Sequence, residues 1–259
     1  MSISVNSWKA LAAVIVAVGV VLSSGSSPLA QAERQGGAPP SVLPTGGGKA
    51  LLDLSDTVFL FLDHQTGLLQ TVKDIDVADL RRNTTVLAKL ATLLKIPVIT
   101  TASEPSGPNG PLMPEIHEFA PHAVHVPRKG EVNAWDNEDF VRTVRSTGRR
   151  TLVMAGVWTS VCVAFPALDA KAAGFKVYAV TDASGDPSEL ASRTTLARLA
   201  QGGVIPTSTA AVVSETHRTW NRPEAAELAK LYGIAAPNYA AVIESYEKAQ
   251  QVIKQSQTR

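Results

Sequence analysis

Cysteine is nearly absent from this 259-residue chain, which holds only Cys162. One thiol cannot close an intramolecular disulfide, so no disulfide framework supports the fold, and the sulfur is left for chemistry, packing or a link between molecules. Aromatic residues make up 5% of the chain and do not interleave with a basic stripe, which excludes the common nucleic-acid modules. An excess of one charge is lacking too. With 24 basic residues against 23 acidic ones the formal net charge is +1, so no global field draws the chain to nucleic acid or to an anionic membrane. No glycine-rich phosphate cradle follows a strand pattern, and nucleotide binding is not expected. His117, His122 and His125 fall at spacings that suit no helical pair of metal ligands; they read as surface histidines, and no metal is expected.

What is present suits one sizeable core, since 45% of the residues are hydrophobic and 18% charged. At the N-terminus Lys9 precedes an apolar run from Ala10 to Leu22, and small polar residues then lead to Ala30-Gln31-Ala32. A weakly basic start, an apolar stretch of about thirteen residues and an A-x-A site describe a signal peptide over residues 1–32, cleaved after Ala32. A spanning helix would need roughly twenty apolar residues, which leaves an uncleaved anchor as the alternative. The mature chain is therefore expected to be secreted or periplasmic and free of the membrane. Residues 33–50, with Pro39-Pro40 and Gly46-Gly47-Gly48, read as a Gly/Pro-rich linker.

Over residues 51–210 short apolar runs alternate with amphipathic stretches, the pattern of a parallel sheet covered by helices. Strands are expected at Thr57 to Leu62, Pro97 to Thr101, Val124 to Val126, Thr151 to Ala155, Lys176 to Val180 and Val204 to Thr207. Helices are expected at Val77 to Leu94, Asn137 to Ser146, Ser160 to Ala173 and Ser188 to Gln201. Fully apolar strands such as Val-Phe-Leu-Phe-Leu imply burial on both faces, hence a Rossmann-like three-layer α/β/α sandwich with a mainly parallel sheet. Residues 211–259 read as a C-terminal helical extension, from Pro223 to Tyr232 and Tyr239 to Ile253, packed on the same domain or on a neighbouring subunit.

In such sheets ligands bind outside the carboxyl ends of the strands. Asp63 ends the first strand, Arg128-Lys129 follow the third, and Cys162 comes after the fourth, at the start of a helix. A thiol there meets unpaired N–H groups and the positive end of the macrodipole, which favours the thiolate. A nucleophile, a base and a cation thus fall just past strand ends. A lone cysteine in an apolar context is otherwise a packing residue. His64 can gate, orient or simply support the loop, and Asp182 and Asp186 beside a Ser-Gly turn read as makers of turn hydrogen bonds. Asn133-Ala-Trp135 reads as a substrate-facing loop or a subunit contact.

These residues together resemble the isochorismatase-like cysteine hydrolases, more closely their YcaC-type branch, over roughly Asp53 to Ile253. The resemblance is carried by Phe61-Leu-Asp-His-Gln-Thr-Gly-Leu68, Glu104-Pro-Ser-Gly-Pro-Asn-Gly-Pro111, Asn133-Ala-Trp-Asp-Asn-Glu-Asp-Phe140, the segment Ala155 to Ala167 around Cys162, Val180-Thr-Asp-Ala-Ser-Gly185 and His217-Arg-Thr-Trp220. It implies the isochorismatase-like fold and a triad of Asp63, one of Arg128 or Lys129, and Cys162. YcaC-type spacing points to Arg128, whereas the lysine of the broader family points to Lys129. The resemblance also implies a cis peptide between Val157 and Trp158, an oxyanion hole from the N–H groups of Trp158 and Cys162, substrate contacts from Gln65, Asn133, Trp135 and Trp158, and a homo-oligomer. The function implied is hydrolysis of a small amide or related C–N bond through a thioester, without a cofactor. A thiol-based redox sensor, a catalytically idle oligomeric scaffold and an enol ether hydrolase stand as alternatives.

Overall fold

The computed structural model describes residues 50–257; the expected signal peptide and all but the last residue of the expected linker lie outside them. Six parallel strands, β1 (Thr57–Leu62), β2 (Val98–Ala102), β3 (Val124–Pro127), β4 (Thr151–Gly156), β5 (Lys176–Val180) and β6 (Ile205–Thr207), form one sheet in the order β3-β2-β1-β4-β5-β6. This confirms the three-layer fold.

The order in which strands are added reverses between β1 and β4: β1, β2 and β3 are laid outward on one side, β4, β5 and β6 on the other. A sheet that switches in this way opens a crevice at the carboxyl ends of its two central strands. β1 and β4 end in register, Leu62 opposite Gly156. A Cβ on Gly156 would lie 2.3 Å from the Leu62 carbonyl oxygen, so only glycine lets the two strand ends approach this closely.

Along β1 the side chains alternate between two cores, as the period of two requires. Phe59 and Phe61 face α2 (Val77–Leu93), α3 (Glu115–Phe119), α7 (Thr209–His217) and α8 (Ala225–Ala235), meeting Leu80, Leu87, Leu90, Ile116, Val212 and Leu228. Val58, Leu60 and Leu62 face α4 (Glu138–Ser146), α5 (Ala164–Ala172) and α6 (Glu189–Gln201), meeting Phe140, Val144, Ala167 and Leu199. Each fully buried large apolar side chain contributes about 1.5–3 kcal/mol of transfer free energy, so the all-apolar strands hold the sheet between its helical layers. A short helix, α1 (Thr66–Leu69), comes soon after β1. Local caps set the longer helices: the Asp76 carboxylate accepts from Ala78 N at the start of α2, Asn137 Oδ1 from Phe140 N at α4, and Ser188 Oγ from Ala191 N at α6.

Two features differ from the sequence expectations. The helix expected from Ser160 begins at Ala164, because Thr159–Val163 forms a π-helical turn instead. α7 runs across the expected boundary between residues 210 and 211, with Val212 and Val213 fully buried in the core, so no break separates the sheet region from the C-terminal helices. α8 packs on α2 of its own chain and buries Leu228 and Leu231, while α9 (Pro237–Gln257) leaves Val242, Val252 and Ile253 exposed. Among the described residues, no helix is long and apolar enough to cross a membrane.

Candidate active site

Asp63 leaves β1 in the left-handed region, φ 56°, a conformation that aspartate tolerates better than most residues. The Asp63 N–H still donates to Thr101 O at 3.1 Å, and the kink at this residue leaves its carboxyl fully buried. Its Oδ1 accepts from Ser103 N at 2.9 Å and from the Arg128 guanidinium. Arg128 comes in past the end of β3, its side chain wholly buried, and donates a second bond to Val132 O at 2.9 Å. A bidentate cation can satisfy a carboxylate and a carbonyl at once, which an ammonium does less well. Lys129 is exposed, and its backbone N–H bonds Glu131. Arg128, and not Lys129, is therefore the cation paired with Asp63.

Cys162 reaches the same place from β4. The peptide between Val157 and Trp158 is cis, and the π turn beyond it directs the N–H groups of Val161, Cys162 and Val163 onto the one carbonyl of Trp158, the Cys162 bond being 2.8 Å. This sends the sulfur back towards Asp63, and thiol and carboxyl interact directly. Asp63 Oδ1 is already occupied and Oδ2 accepts no bond of ordinary geometry, so Oδ2 has the free lone pairs to take a proton.

The electrostatics correct one expectation. Burial pushes the Cys162 thiol well above its usual 9.0, and the Asp63 charge pushes it further, against weaker help from the Trp158 backbone and Arg128. Cys162 is only 8% exposed, and the N–H groups that should have favoured a thiolate are spent on Trp158 O. Both influences, burial and the Asp63 charge, favour the neutral thiol over the thiolate. Burial also raises Asp63, opposed by Arg128, so its carboxyl is a better base than an exposed one. A raised thiol has a stability consequence. Below about pH 9 folded and unfolded chains both hold the proton; above it the unfolded chain ionises first, and stability falls as pH rises. Wild type should lose up to about 1.4 kcal/mol per pH unit more than Cys162→Ala there. Thermal melts at pH 8 to 10 read the difference, and parallel alkaline limbs would contradict it.

The remaining expected site residues divide. Trp158 lies beside the thiol turn, half-buried, its indole N–H donating to Thr71 Oγ1 at 2.6 Å and its backbone N–H turned to the Cys162 sulfur. The Cys162 N–H, the other expected oxyanion donor, is tied up in the turn. Gln65 is not free for substrate: its amide donates to Ser103 O and Gly110 O and accepts from Ser103 N and Oγ, clamping residues 103–110. Asn133 is likewise internal, donating to Asp169 at 2.7 Å and accepting from Trp135 N. Trp135 packs edge-on against Phe140 and against Phe175 at the amino end of β5, away from the thiol. All three make supporting or packing contacts within the chain.

His64 is fully buried, bonded through Nε2 to Ala183 O, and burial lowers its pKa to about 4, so it stays neutral. Of the expected histidine group, His117 and His125 share Thr100 and His122 bonds Ile96 O. Asp182 and Asp186 do accept hydrogen bonds, but across the fold: Asp182 caps α7 through Thr209, and Asp186 takes Ser160.

The arrangement can be set beside known proteins. A family model described as "Isochorismatase domain" matches residues 57–211. Probable hydrolase YcaC of Escherichia coli (strain K12) is 43% identical over 196 residues, covering 76% of this chain and 94% of that protein. The crystal structure of the E. coli YcaC gene product, described as an octameric hydrolase of unknown specificity, aligns with a TM-score of 0.75 at 42% identity, covering 78% of this chain and 98% of its own. YcaC from Pseudomonas aeruginosa, solved with hexane-2,5-diol and covalent acrylamide, aligns with a TM-score of 0.74 at 42% identity, covering 77% and 98%.

Proposed function

The chain belongs to the isochorismatase family, and on that premise we propose that it is an exported cysteine hydrolase that cleaves a small amide or related C–N bond through a thioester, with Asp63, Arg128 and Cys162 as its catalytic triad. One observation carries this reading: the Cys162 thiol meets the Asp63 carboxyl at the switch point between β1 and β4, with Arg128 fixed on Oδ1 of that carboxyl.

As the sulfur closes on a carbonyl carbon, the thiol proton passes to Asp63, so the thiolate exists only during attack. The Trp158 N–H faces the developing oxyanion. When the tetrahedral intermediate collapses, the C–N bond breaks and Asp63 returns the proton to the leaving amine, which leaves a thioester on Cys162. Asp63 then takes a proton from water, which attacks the thioester; the acid departs and the proton returns to sulfur. Water and amide in, acid and amine out, the protein is unchanged. Arg128 holds Asp63 ionised at rest and in place throughout.

Acrylamide is captured by nucleophiles through its alkene, so covalent acrylamide on the P. aeruginosa relative supports a reactive nucleophile that a small molecule can reach. A redox sensor instead needs an exposed thiol of low pKa, whereas Cys162 is buried and raised. The test is ammonia release from a panel of small primary amides and ureido compounds. Wild type should turn over at least one of them and Cys162→Ala none, and turnover retained by Cys162→Ala would sink the reading.

The expected signal peptide places the work in the periplasm or outside. An intact mass beginning at Glu33 from an exporting host is the expected result, against one beginning at Met1. The chain is proposed to be a homo-oligomer, as the E. coli relative is an octamer, and the exposed Val242, Val252 and Ile253 of α9 offer contact surface. Light scattering should give a multiple of the chain mass, and a monomer would contradict it.

A further inference from the structure

The π turn that presents Cys162 has an unsatisfied start. The first N–H groups of a helical segment find no partner within it and need an acceptor from outside. The residue that should cap this one, Trp158, has no side-chain oxygen and makes no capping bond. The two leading N–H groups are instead taken by a segment 26 positions further on: Thr159 N donates to Gly185 O at 2.9 Å, and Ser160 N to Asp186 Oδ1 at 3.0 Å. Ser160 Oγ adds a second bond to the same oxygen at 2.6 Å.

Asp186 is itself held at both ends. Its N–H donates to Asp74 Oδ1 at 2.7 Å, and its carbonyl accepts from Lys73 N at 2.9 Å. The stretch that supplies these partners also supplies Thr71, which holds the Trp158 indole. A closed circuit results: Trp158 to Thr71, along the chain to Lys73 and Asp74, across to Asp186, and back through Ser160 to the turn. Both the sulfur and the ring beside it are fixed by this one circuit. Asp186 is fully buried, yet its Oδ2 has no partner among the described residues.

We propose that Asp186 is the positioning residue of the nucleophile turn, acting as a cap supplied from across the fold that holds Cys162 against Asp63. This rests on the reading of Cys162 as nucleophile and Asp63 as its base. The proposal concerns the acceptor oxygen and not the charge, because the charged groups that act on the Cys162 thiol are Asp63 and Arg128, while Asp186 is not among them and faces Asp74.

The experiment measures the pH dependence of Cys162 alkylation by iodoacetamide in the full chain, for wild type, Asp186→Ala, Asp186→Asn and Asp63→Asn, and for Asp63→Asn in the Asp186→Ala background. If Asp186 holds the thiol against Asp63, Asp186→Ala lowers the alkylation midpoint by about one unit, which makes labelling about tenfold faster below it. Asp186→Asn keeps the acceptor oxygen and stays near wild type. Asp63→Asn, which lowers the midpoint in wild type, shifts it less than half as far in the Asp186→Ala background. A wild-type midpoint in Asp186→Ala, an equal shift in Asp186→Asn, or an undiminished Asp63→Asn shift each overturns the proposal. Should Asp186→Ala not fold, Ser160→Ala takes its place in the cycle, with a downward shift expected and an unmoved midpoint overturning it. Asp63→Asn without effect in wild type would sink the base assignment instead, and the contrast between Asp186→Ala and Asp186→Asn would still decide the positioning role.

Discussion

Asp63→Asn should lower amide turnover by about a thousandfold while making Cys162 easier to ionise. Removing a positioned general base costs on the order of 10²–10⁴ in rate, and here one carboxyl serves both halves of the reaction, taking the thiol proton and returning it to the amine. The opposite sign on the thiol comes from the causes of its shift. The Asp63 charge and its contact with sulfur raise the thiol, and Arg128 lowers it. With an amide at position 63 the first influence goes and the second remains. Alkylation by iodoacetamide therefore moves to lower pH as turnover collapses. Asn can still accept from Ser103 N, so the end of β1 keeps its anchor. Turnover within tenfold of wild type, or an alkylation midpoint that rises, would contradict the assignment.

The second large effect concerns stability. Arg128→Ala should destabilise the protein by about 3–5 kcal/mol, because it leaves a buried carboxylate without its cation. Both side chains of the pair are essentially inaccessible, 0% and 1% exposed, so water does not replace the lost partner. For a domain of this size the loss corresponds to a fall of about 10 °C in melting temperature. Asp63 relieves part of it by holding a proton more strongly, which removes the base and ends turnover near neutral pH. Lys129→Ala changes neither quantity, since that side chain is exposed. A differential melt of the two variants is the check. Equal melting temperatures would mean that the buried pair contributes nothing.

Much of the fold was legible because its signals are local. β1 and β5 fall at the expected residues and β4 within one, since runs such as Thr57-Val-Phe-Leu-Phe-Leu62 admit only burial on both faces. α2 and α6 fall within one residue of the expected ranges, and Asp76 and Ser188 cap them locally. α7 was not read, although Ser208 caps it locally by accepting from Ala211 N; Asp182, 27 positions away from Thr209, adds a second acceptor at the same end.

Within the site, the sequence placed Asp63, Arg128 and Cys162 at one end of the sheet, because strand order and strand ends do that work. It could not choose between Arg128 and Lys129. Neighbours in sequence project differently past the end of β3, and only the packed fold buries one and exposes the other. The state of the sulfur was read with the wrong sign for a related reason. Position near a helix start is local, whereas the burial and the Asp63 charge that dominate come from the tertiary structure. Gln65, Asn133 and Trp135 drew attention as polar or aromatic residues near the site, yet the amides are consumed by Ser103, Gly110 and Asp169 and the ring by Phe140 and Phe175.

The most direct measurement is the intact mass of the protein, acid-quenched while it turns over an amide from which it releases ammonia. The thioester route predicts a mass increase equal to the substrate's acyl group, mapped to Cys162 and absent from Cys162→Ala. Sustained ammonia release by wild type with no adduct, together with undiminished release by Cys162→Ala, would contradict it.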